Sequence, residues 1–462
     1  GYTVPHAMAS DPTQHLHRHD AYAALRNANY QRYALGFFLA ATGLQALATA
    51  VGWEVYERTN DPLHLGYTGL ARALPVVLLA LPAGHTADLY SRRAIIAISQ
   101  VGFALAAIGL CLVSHAHAPI WLVYLLLAFT GCCRAFNGPA RGSFLPTIVP
   151  RGIFENAVAW SSSAFQLAAV TGPLLAGLLI WWTKSAWPVY AMCAACNLAF
   201  AVCVLGIRPL ILASATGKYT FASMMAGMGH LWREKTILGA ITLDLFAVLL
   251  GGATALLPIF AADILHVGPV GLGVLRASSY VGAFAMGVYL AHSPPIKRSG
   301  PALIWSVAGF GVATIVFGLS ENLWLSLAAL FIAGAVDNVS VVVRHVLVQV
   351  RTPDHLRGRV GAVNSVFIEC SNELGAFESG AVARLFGPVV SVVSGGIGTM
   401  VVAAGIAGLF PELRRLGRLQ EPGDDVPTHC CQCGYDLGGL PRPICPECGC
   451  SFAAAGKAST PS

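Results

Sequence analysis

The sequence predicts an all-α membrane protein with twelve transmembrane helices in two pseudo-symmetric six-helix halves, followed by a small C-terminal zinc ribbon. The first observation is composition: the 462-residue chain is 56% hydrophobic and 11% charged, with a mean hydropathy of +0.65, whereas soluble domains are about a quarter charged. The second is that its apolar stretches run for about 20 residues each, enough to cross a hydrocarbon core of about 30 Å. The third is an internal repeat.

The apolar stretches define the elements in chain order. The polar N-terminal tail, residues 1–29, is expected to carry no cleavable signal peptide. The linker at 208–236 places apolar residues at helical spacing, which predicts an amphipathic helix at the inner membrane surface. A second linker, 412–428, leads to the module at 429–452. The predicted spans are 31–56, 65–86, 93–114, 119–141, 156–181 and 187–207 in the first half (30–207), and 237–262, 269–291, 301–319, 323–347, 358–384 and 389–410 in the second half (237–411).

Basic residues predict the orientation. With the N-terminus inside, only Arg58, Lys184 and Arg384 of the 28 lysines and arginines face the outer side. The positive-inside rule therefore places both termini in the cytoplasm, in an inner or plasma membrane. The net charge of +6 follows from this topology and does not indicate nucleic-acid binding. The expected partners are the lipid bilayer and a small-molecule substrate, and we expect a monomer.

The two halves repeat at an offset of 203 residues. Arg141 falls on Arg344 at this offset, and Arg134 falls on Asp337. The Arg134 and Asp337 match suggests an ion pair between the fourth and tenth spans. Arg141 and Arg344, near the predicted cytoplasmic ends, are expected to bind loop carbonyls or lipid phosphates. Two six-span halves related by an axis along the membrane normal are typical of secondary transporters.

The turn predicted between the second and third spans, residues 84–93, carries Gly84-x-x-x-Asp88 followed by Arg92-Arg93. With the span count, this motif resembles the major facilitator superfamily. Gly172-Pro173 in the fifth span resembles the antiporter motif of its drug-exporting branches, and is otherwise a kink or close-packing device. The resemblance implies that these residues gate the conformational change.

Two further segments are similar to the enterobactin-exporter-like group of that superfamily. They are Arg134-Ala135-Phe136 with Gly138-Pro139-Ala140, and Thr352-Pro353-Asp354 followed by Arg357-Gly358-Arg359. The resemblance covers about residues 22–416. It implies export driven by an ion gradient, with a proton as the coupling ion.

Ionisable residues inside the spans are the candidates for transport and proton coupling, because each costs about 2.5–3.5 kcal/mol to insert. Asp244 is a candidate proton carrier, or else half of a buried salt bridge to an arginine such as Arg276. Glu369 and Glu373 share one helix face, where mutual repulsion favours proton exchange; the alternative is a solvated pair at the cytoplasmic end.

Arg72 and Arg276 occupy corresponding places one residue off the repeat, and each interrupts an apolar span. They are candidates for binding an anionic substrate, or for pairing with Asp244 and Glu54 as a cavity opens and closes. A purely structural role is the alternative.

The C-terminal tail carries two Cys-x-x-Cys knuckles, Cys430 with Cys433 and Cys445 with Cys448, separated by eleven residues. Four thiolates at this spacing predict a structural Zn²⁺ site of the zinc-ribbon type. A pair of disulfides is disfavoured in a reducing cytoplasm. The module is also a candidate site for a cytoplasmic protein partner.

The sequence contains neither a phosphate-binding Gly-x-x-x-x-Gly-Lys-Ser/Thr loop nor a hydrolase or metalloprotease motif, so we expect no enzyme. The leading hypothesis is proton-coupled export of small amphipathic or siderophore-like molecules by alternating access. Phospholipid or lysophospholipid transport is the alternative within the same class. A non-transporting membrane scaffold or sensor acting through the zinc tail is the alternative from another class.

Overall fold

The computed structural model describes residues 22–208, 229, 232, 234–294 and 296–417, and this part of the chain is helical without strands. The helices of the first half are α1 (Ala28–Thr59), α2 (Pro62–Leu89), α3 (Arg92–His115), α4 (Trp121–Ile148), α5 (Phe154–Thr183) and α6 (Trp187–Leu205). Those of the second half are α7 (Lys235–Leu250), α8 (Ala253–Ile259), α9 (Gly268–His292), α10 (Ser299–Leu319), α11 (Leu323–Arg351), α12 (Asp354–Phe386), α13 (Pro388–Leu409) and the short α14 (Pro411–Arg414).

The prediction of an all-helical membrane protein is confirmed. Within the described residues, eleven segments are long and apolar enough to cross a membrane. The remaining predicted span, 358–384, is the eleventh in chain order and corresponds to α12, a helix of 33 residues whose interior carries Glu369, Glu373 and Glu378. The amphipathic helix predicted for the linker falls largely on residues outside the described part.

The chain divides into two compact units. Unit 1 comprises Gly1–Arg58, Leu74–Lys218 and Gly268–Ala277, and unit 2 comprises Thr59–Ala73, Tyr219–Val267 and Ser278–Ser462. Unit 2 therefore contains the beginning of α2, and unit 1 contains the beginning of α9. The domain boundaries drawn from the sequence stay predictions.

Each unit has an apolar core built from equivalent helices. In unit 1 the core joins α1, α3, α4 and α6 through buried side chains that include Phe37, Ile96, Phe144 and Phe200. In unit 2 the core joins α7, α10, α11 and α13, with Leu243, Leu303, Leu347 and Ile406 among its members. The first, third, fourth and sixth spans of each half therefore supply its core, as a repeat of six spans requires.

The seventh span is broken in its middle. Its helix α7 stops at Leu250, α8 begins at Ala253, and a π-helical turn, Phe260–Ile264, ends the span. A Cβ atom on Gly252 would lie 2.7 Å from the carbonyl oxygen of Gly375 on α12. This glycine therefore lets the interrupted backbone approach α12, which is how a broken helix is tolerated inside a membrane.

The turn between α2 and α3 is shorter than predicted. The sequence places a turn over residues 84–93, but α2 continues through Leu89 and α3 begins at Arg92, so Tyr90 and Ser91 alone connect them. The polar residues of the motif do not break the helix, because a helix extending beyond the hydrocarbon core can carry polar side chains on its last turn.

Candidate functional site

The first charged cluster in the spans belongs to unit 1 and is built around Glu54 of α1. Its carboxylate accepts a hydrogen bond from the Tyr190 hydroxyl of α6 at 2.7 Å and pairs with Arg58, one turn along α1, at 3.2 Å. The Arg58 guanidinium also donates to the carbonyl of Ala118, which follows α3. Glu54 is 8% exposed and both its oxygens have partners, so it joins α1 to α6 and to the loop after α3.

Arg276 also lies in unit 1, near the beginning of α9. Its guanidinium donates to the Thr49 hydroxyl of α1 at 3.4 Å. Arg276, which the sequence singled out for substrate binding or gating, thus makes a polar contact from α9 to α1.

The second charged cluster lies in unit 2, where the beginning of α2 packs against α12. Arg72 pairs with Glu373 at 3.3 Å, and Asp61 pairs with Arg384 at 3.0 Å. Between these pairs the two backbones approach closely, since a Cβ atom on Gly69 would lie 2.8 Å from the carbonyl oxygen of Glu373. Small residues at a close helix crossing, flanked by ion pairs, hold these two segments together.

This arrangement contradicts one of the two alternatives for Glu373, the solvated pair at a helix end, whereas the role in proton exchange stays a prediction. Its side chain is 12% exposed and paired with Arg72, so it is not a solvated group at a helix end. Glu369, one turn earlier on α12, is half-buried.

The third cluster lies inside unit 2 and contains Asp244 of α7 and Arg344 of α11. The two side chains form an ion pair and are 8% and 3% exposed. The arginine that pairs with Asp244 is thus Arg344, whereas the sequence suggested Arg276. The expectation that Arg344 binds loop carbonyls or lipid phosphates is wrong. The helix α11 continues to Arg351, which places Arg344 two turns inside the helix and not at its end.

A small pocket lies beside this ion pair, with space for about one water molecule. Its polar wall consists of Asp244, Asp337 and Ser340. Asp337, Ser340 and Arg344 follow one another at helical spacing along one face of α11. The apolar wall is formed by Ala247, Val248, Val307 and Phe310.

Two arginines of the predicted gating turn, residues 84–93, donate hydrogen bonds to other helices of unit 1. Arg92 donates to the carbonyl of Ser143 on α4 at 3.2 Å, and Arg93 donates to the carbonyl of Leu205, the last residue of α6. The contact of Arg93 lies at the carbonyl end of α6, where a cation is favourable because it satisfies an orphan acceptor. Gly84 lies within α2, and the Asp88 side chain is outside the described part of the structure.

Gly172 and Pro173 form a point of close packing on α5 in unit 1. A Cβ atom on Gly172 would lie 2.7 Å from the carbonyl oxygen of Thr42 on α1. A Cβ atom on Gly273 of α9 would likewise lie 2.5 Å from the carbonyl oxygen of Pro173. The pair therefore allows α5 to contact both neighbours, which supports the close-packing alternative. The role in antiport stays a prediction.

The repeat-related arginines of α4 differ from their counterparts. The Arg141 guanidinium lies over the ring of Phe37, 4.7 Å from its centroid. Arg134 is exposed on α4. The ion pair of Arg134 with Asp337 that the repeat suggests would involve residues of different units, and it stays a prediction.

The predicted zinc ligands, Cys430, Cys433, Cys445 and Cys448, lie outside the described residues. In the part of the chain that the structure describes, no group of three or more His, Cys, Asp or Glu side chains is arranged to hold a metal ion. The zinc module and its cytoplasmic partner stay predictions.

Sequence reasoning missed Tyr190 and Ser340. Tyr190 is 136 positions from Glu54, and nothing in the spacing of the sequence relates them. Ser340 was detectable, because it lies three residues after Asp337 and four before Arg344 on a predicted helix. A hydroxyl at this spacing between two charges of opposite sign marks a polar face in an apolar span.

Comparisons with known proteins agree on the class of protein. Residues 19–429 match the family described as transmembrane secretion effector. The enterobactin exporter EntS of Citrobacter koseri is 25% identical over 398 residues, 85% of this chain and 94% of the relative. EntS of Escherichia coli O1:K1 / APEC is 25% identical over 386 residues, 82% of this chain and 91% of the relative.

Solved structures of transporters share the fold. A bacterial homologue of the human lysosomal transporter Spinster, inward-facing and unoccupied, has a TM-score of 0.67 at 15% identity, covering 85% of this chain and 98% of that chain. The nucleoside transporter NupG has a TM-score of 0.65 at 13% identity, covering 83% and 99%. With the helices, the repeat and the motif in place, the chain belongs to the transmembrane secretion effector family of the major facilitator superfamily of membrane transporters.

Proposed function

We propose that this chain exports small amphipathic or siderophore-like molecules by alternating access, driven by a proton gradient. The observation that carries the proposal is the likeness to enterobactin exporters, which extends over 85% of this chain and 94% of the relative. A likeness of that extent includes both six-span halves, between which a major facilitator transporter carries its substrate.

The buried charges support transport over a scaffold role. Each ionised side chain in a span opposes insertion by about 2.5–3.5 kcal/mol. Unit 2 nevertheless keeps the Asp244 and Arg344 pair almost fully buried, and holds Arg72 against Glu373. A membrane anchor needs none of these groups, whereas a proton-coupled transporter needs a buried acid and a nearby base.

Ion pairs between helices are also suited to alternating access. The contacts of Arg72 with Glu373 and of Asp61 with Arg384 hold the beginning of α2 against α12. Side chains that are paired in one state and hydrated in another can bias which state is populated, by as much as their interaction free energy differs between the two. The positive-inside bias supports cytoplasmic placement of both termini and of the zinc-binding tail.

Flux through reconstituted protein tests the proposal. Full-length protein in proteoliposomes is supplied with enterobactin on the side matching the cytoplasm, with and without an opposing pH gradient. We expect accumulation that depends on the gradient and stops when a protonophore collapses it. Labelled lysophospholipid in the same vesicles tests the lipid alternative. Gradient-independent movement of lipid alone would reject the proposed substrate class, and no flux of either compound would favour the scaffold.

A matched pair of variants connects the flux to the charged clusters. Glu373→Gln removes the partner of Arg72, whereas Glu412→Gln makes the same change at an exposed position on α14. We expect Glu373→Gln to lower gradient-driven flux while Glu412→Gln leaves it unchanged. Equal flux through both variants would remove the Arg72 and Glu373 pair from the transport cycle.

A further inference from the structure

The pocket inside unit 2 contains more acid than its arginine neutralises. Two carboxylates, Asp244 and Asp337, line the pocket, and Arg344 pairs with Asp244. Within the described residues of unit 2, Asp337 makes no hydrogen bond or ion pair. An ionised carboxylate without a partner at this depth is strongly disfavoured, and binding a proton removes its charge.

Polar atoms that lack partners lie in this pocket, at Ser340, and beside it, at Arg344. Ser340 is 1% exposed and its hydroxyl has no hydrogen-bond partner, and the Nε donor of Arg344 also has none. Buried polar groups nearly always have hydrogen-bond partners. An unpaired hydroxyl that lines a pocket therefore indicates a partner that binds there reversibly. A hydroxyl one turn from Asp337 suits this role, because it can accept a hydrogen bond from the protonated acid or donate one to the carboxylate.

The internal repeat shows that the fold does not require these acids. At the offset of 203 Arg344 corresponds to Arg141, Ser340 to Asn137 and Asp337 to Arg134. Asp244 falls on Ala41 at that offset, and on Ala40 at the offset of 204 that relates Arg72 to Arg276. Both alanines are buried.

Unit 1 therefore builds the equivalent packing with an alanine, and it places its arginine over the Phe37 ring at 4.7 Å. The acids of unit 2 are an addition to the fold and not a condition for it.

The other ionisable groups on the helices around the pocket leave Asp337 as the unpaired acid there. Helices α10 and α13 carry no titratable side chain, and His345 of α11 is exposed. The other described titratable groups on these helices and on the elements packed against them are Lys235 on α7, Arg351 on α11, Glu369, Cys370, Glu373, Glu378 and Arg384 on α12, Tyr280, Tyr289 and His292 on the unit 2 part of α9, and Glu412 and Arg414 on α14. Glu373 is paired with Arg72.

We propose that Asp337 is a proton-binding residue of this transporter, set one turn from the unpaired hydroxyl of Ser340 and beside the Asp244 and Arg344 pair. A hydronium ion in water that reaches the pocket supplies the proton: one of its O–H bonds breaks, an O–H bond forms on one carboxyl oxygen of Asp337, and a neutral water molecule is left. When the proton leaves, the Asp337 carboxylate and Asp244 share the Arg344 guanidinium, whose free Nε donor is available for this exchange. The inference rests on the proposed proton coupling and assigns it a residue.

Proton binding can be measured without any substrate. Infrared difference spectra between acidic and alkaline pH, recorded on full-length protein reconstituted in lipid, resolve the C=O stretch of protonated carboxyl groups. We expect a carboxyl band that is lost in Asp337→Asn and retained in Asp263→Asn, a matched change at an exposed position of unit 2. Ser340→Ala keeps both carboxylates and is expected to shift this band, so it also decides the question if Asp337→Asn does not fold.

The outcomes separate this inference from the proposed function. A carboxyl spectrum that neither Asp337→Asn nor Ser340→Ala changes overturns the proton site, and loss of the band in Asp244→Asn alone transfers the role to Asp244. Gradient-driven enterobactin flux that is unchanged in Asp337→Asn overturns the site while leaving export intact. A band sensitive to Asp337, in protein that transports no enterobactin, overturns the proposed substrate and keeps the proton site.

Discussion

Replacing Arg344 with glutamine should be among the most destabilising single changes in unit 2. Arg344 is 3% exposed and forms an ion pair with Asp244, and Asp337 lines the same pocket. Removing one partner of a buried pair leaves the other charge uncompensated, which typically costs about 3–5 kcal/mol. Arg344→Gln leaves two acids beside one small pocket, so we expect a loss in that range.

The charged groups that remain in each variant predict the order of the stability losses. Asp244→Asn should cost less than Arg344→Gln, because Asp337 lines the same pocket and is available to the stranded arginine. Asp337→Asn should cost little, since it leaves the ion pair intact. The double variant Asp244→Asn with Arg344→Gln should recover part of the loss, because no unpaired charge of the original pair remains.

Thermal unfolding of the purified protein in detergent measures this order. A loss of about 3–5 kcal/mol corresponds to a decrease in Tm of about 6–20 °C for a unit of this size. The reasoning is refuted if Arg344→Gln and Asp337→Asn unfold at the same temperature, or if the double variant is no more stable than Arg344→Gln alone.

Three further predictions concern other parts of the chain. Tyr190→Phe removes the hydrogen bond to the Glu54 carboxylate and should lower stability by about 1.5–3 kcal/mol in thermal unfolding; no change would mean that Arg58 alone satisfies this acid. Gly172→Ala should destabilise the protein or block flux, because its Cβ would meet the α1 backbone at 2.7 Å, whereas Gly138→Ala, with nothing within 4 Å, should behave like the parent. Purified full-length protein should contain one zinc ion that Cys433→Ser abolishes, measured by elemental analysis; equal zinc content in both would reject the predicted site.

Hydropathy predicts the helices but not their ends. The fourth span was placed at 119–141, and its helix runs from Trp121 to Ile148. The tenth was placed at 323–347, and its helix continues to Arg351. A hydropathy window detects the part of a helix that lies in hydrocarbon, and a helix that continues past it carries polar side chains that the window scores as loop.

The sequence also identified charged residues in the spans, because charge in an apolar stretch is conspicuous, but it did not identify their partners. Arg344 was expected near a helix end, and it is buried against Asp244, one hundred positions earlier. Their contact depends on how α7 and α11 pack in the core of unit 2. Composition and periodicity determine which face of a helix is polar, and tertiary packing determines what that face meets.

The comparison of Arg141 with Arg344 shows how a repeated fold can acquire a chemically distinct site in one half. A guanidinium over an aromatic ring gains about 0.5–2 kcal/mol and is satisfied without any acid. Unit 1 uses this solution with Phe37. Unit 2 instead pairs its arginine with Asp244. Each added acid raises the free energy of membrane insertion by about 2.5–3.5 kcal/mol. Because the less costly solution is compatible with the same helix packing, the acids of unit 2 are best explained by what they bind, and a proton is the smallest ligand that neutralises the unpaired one.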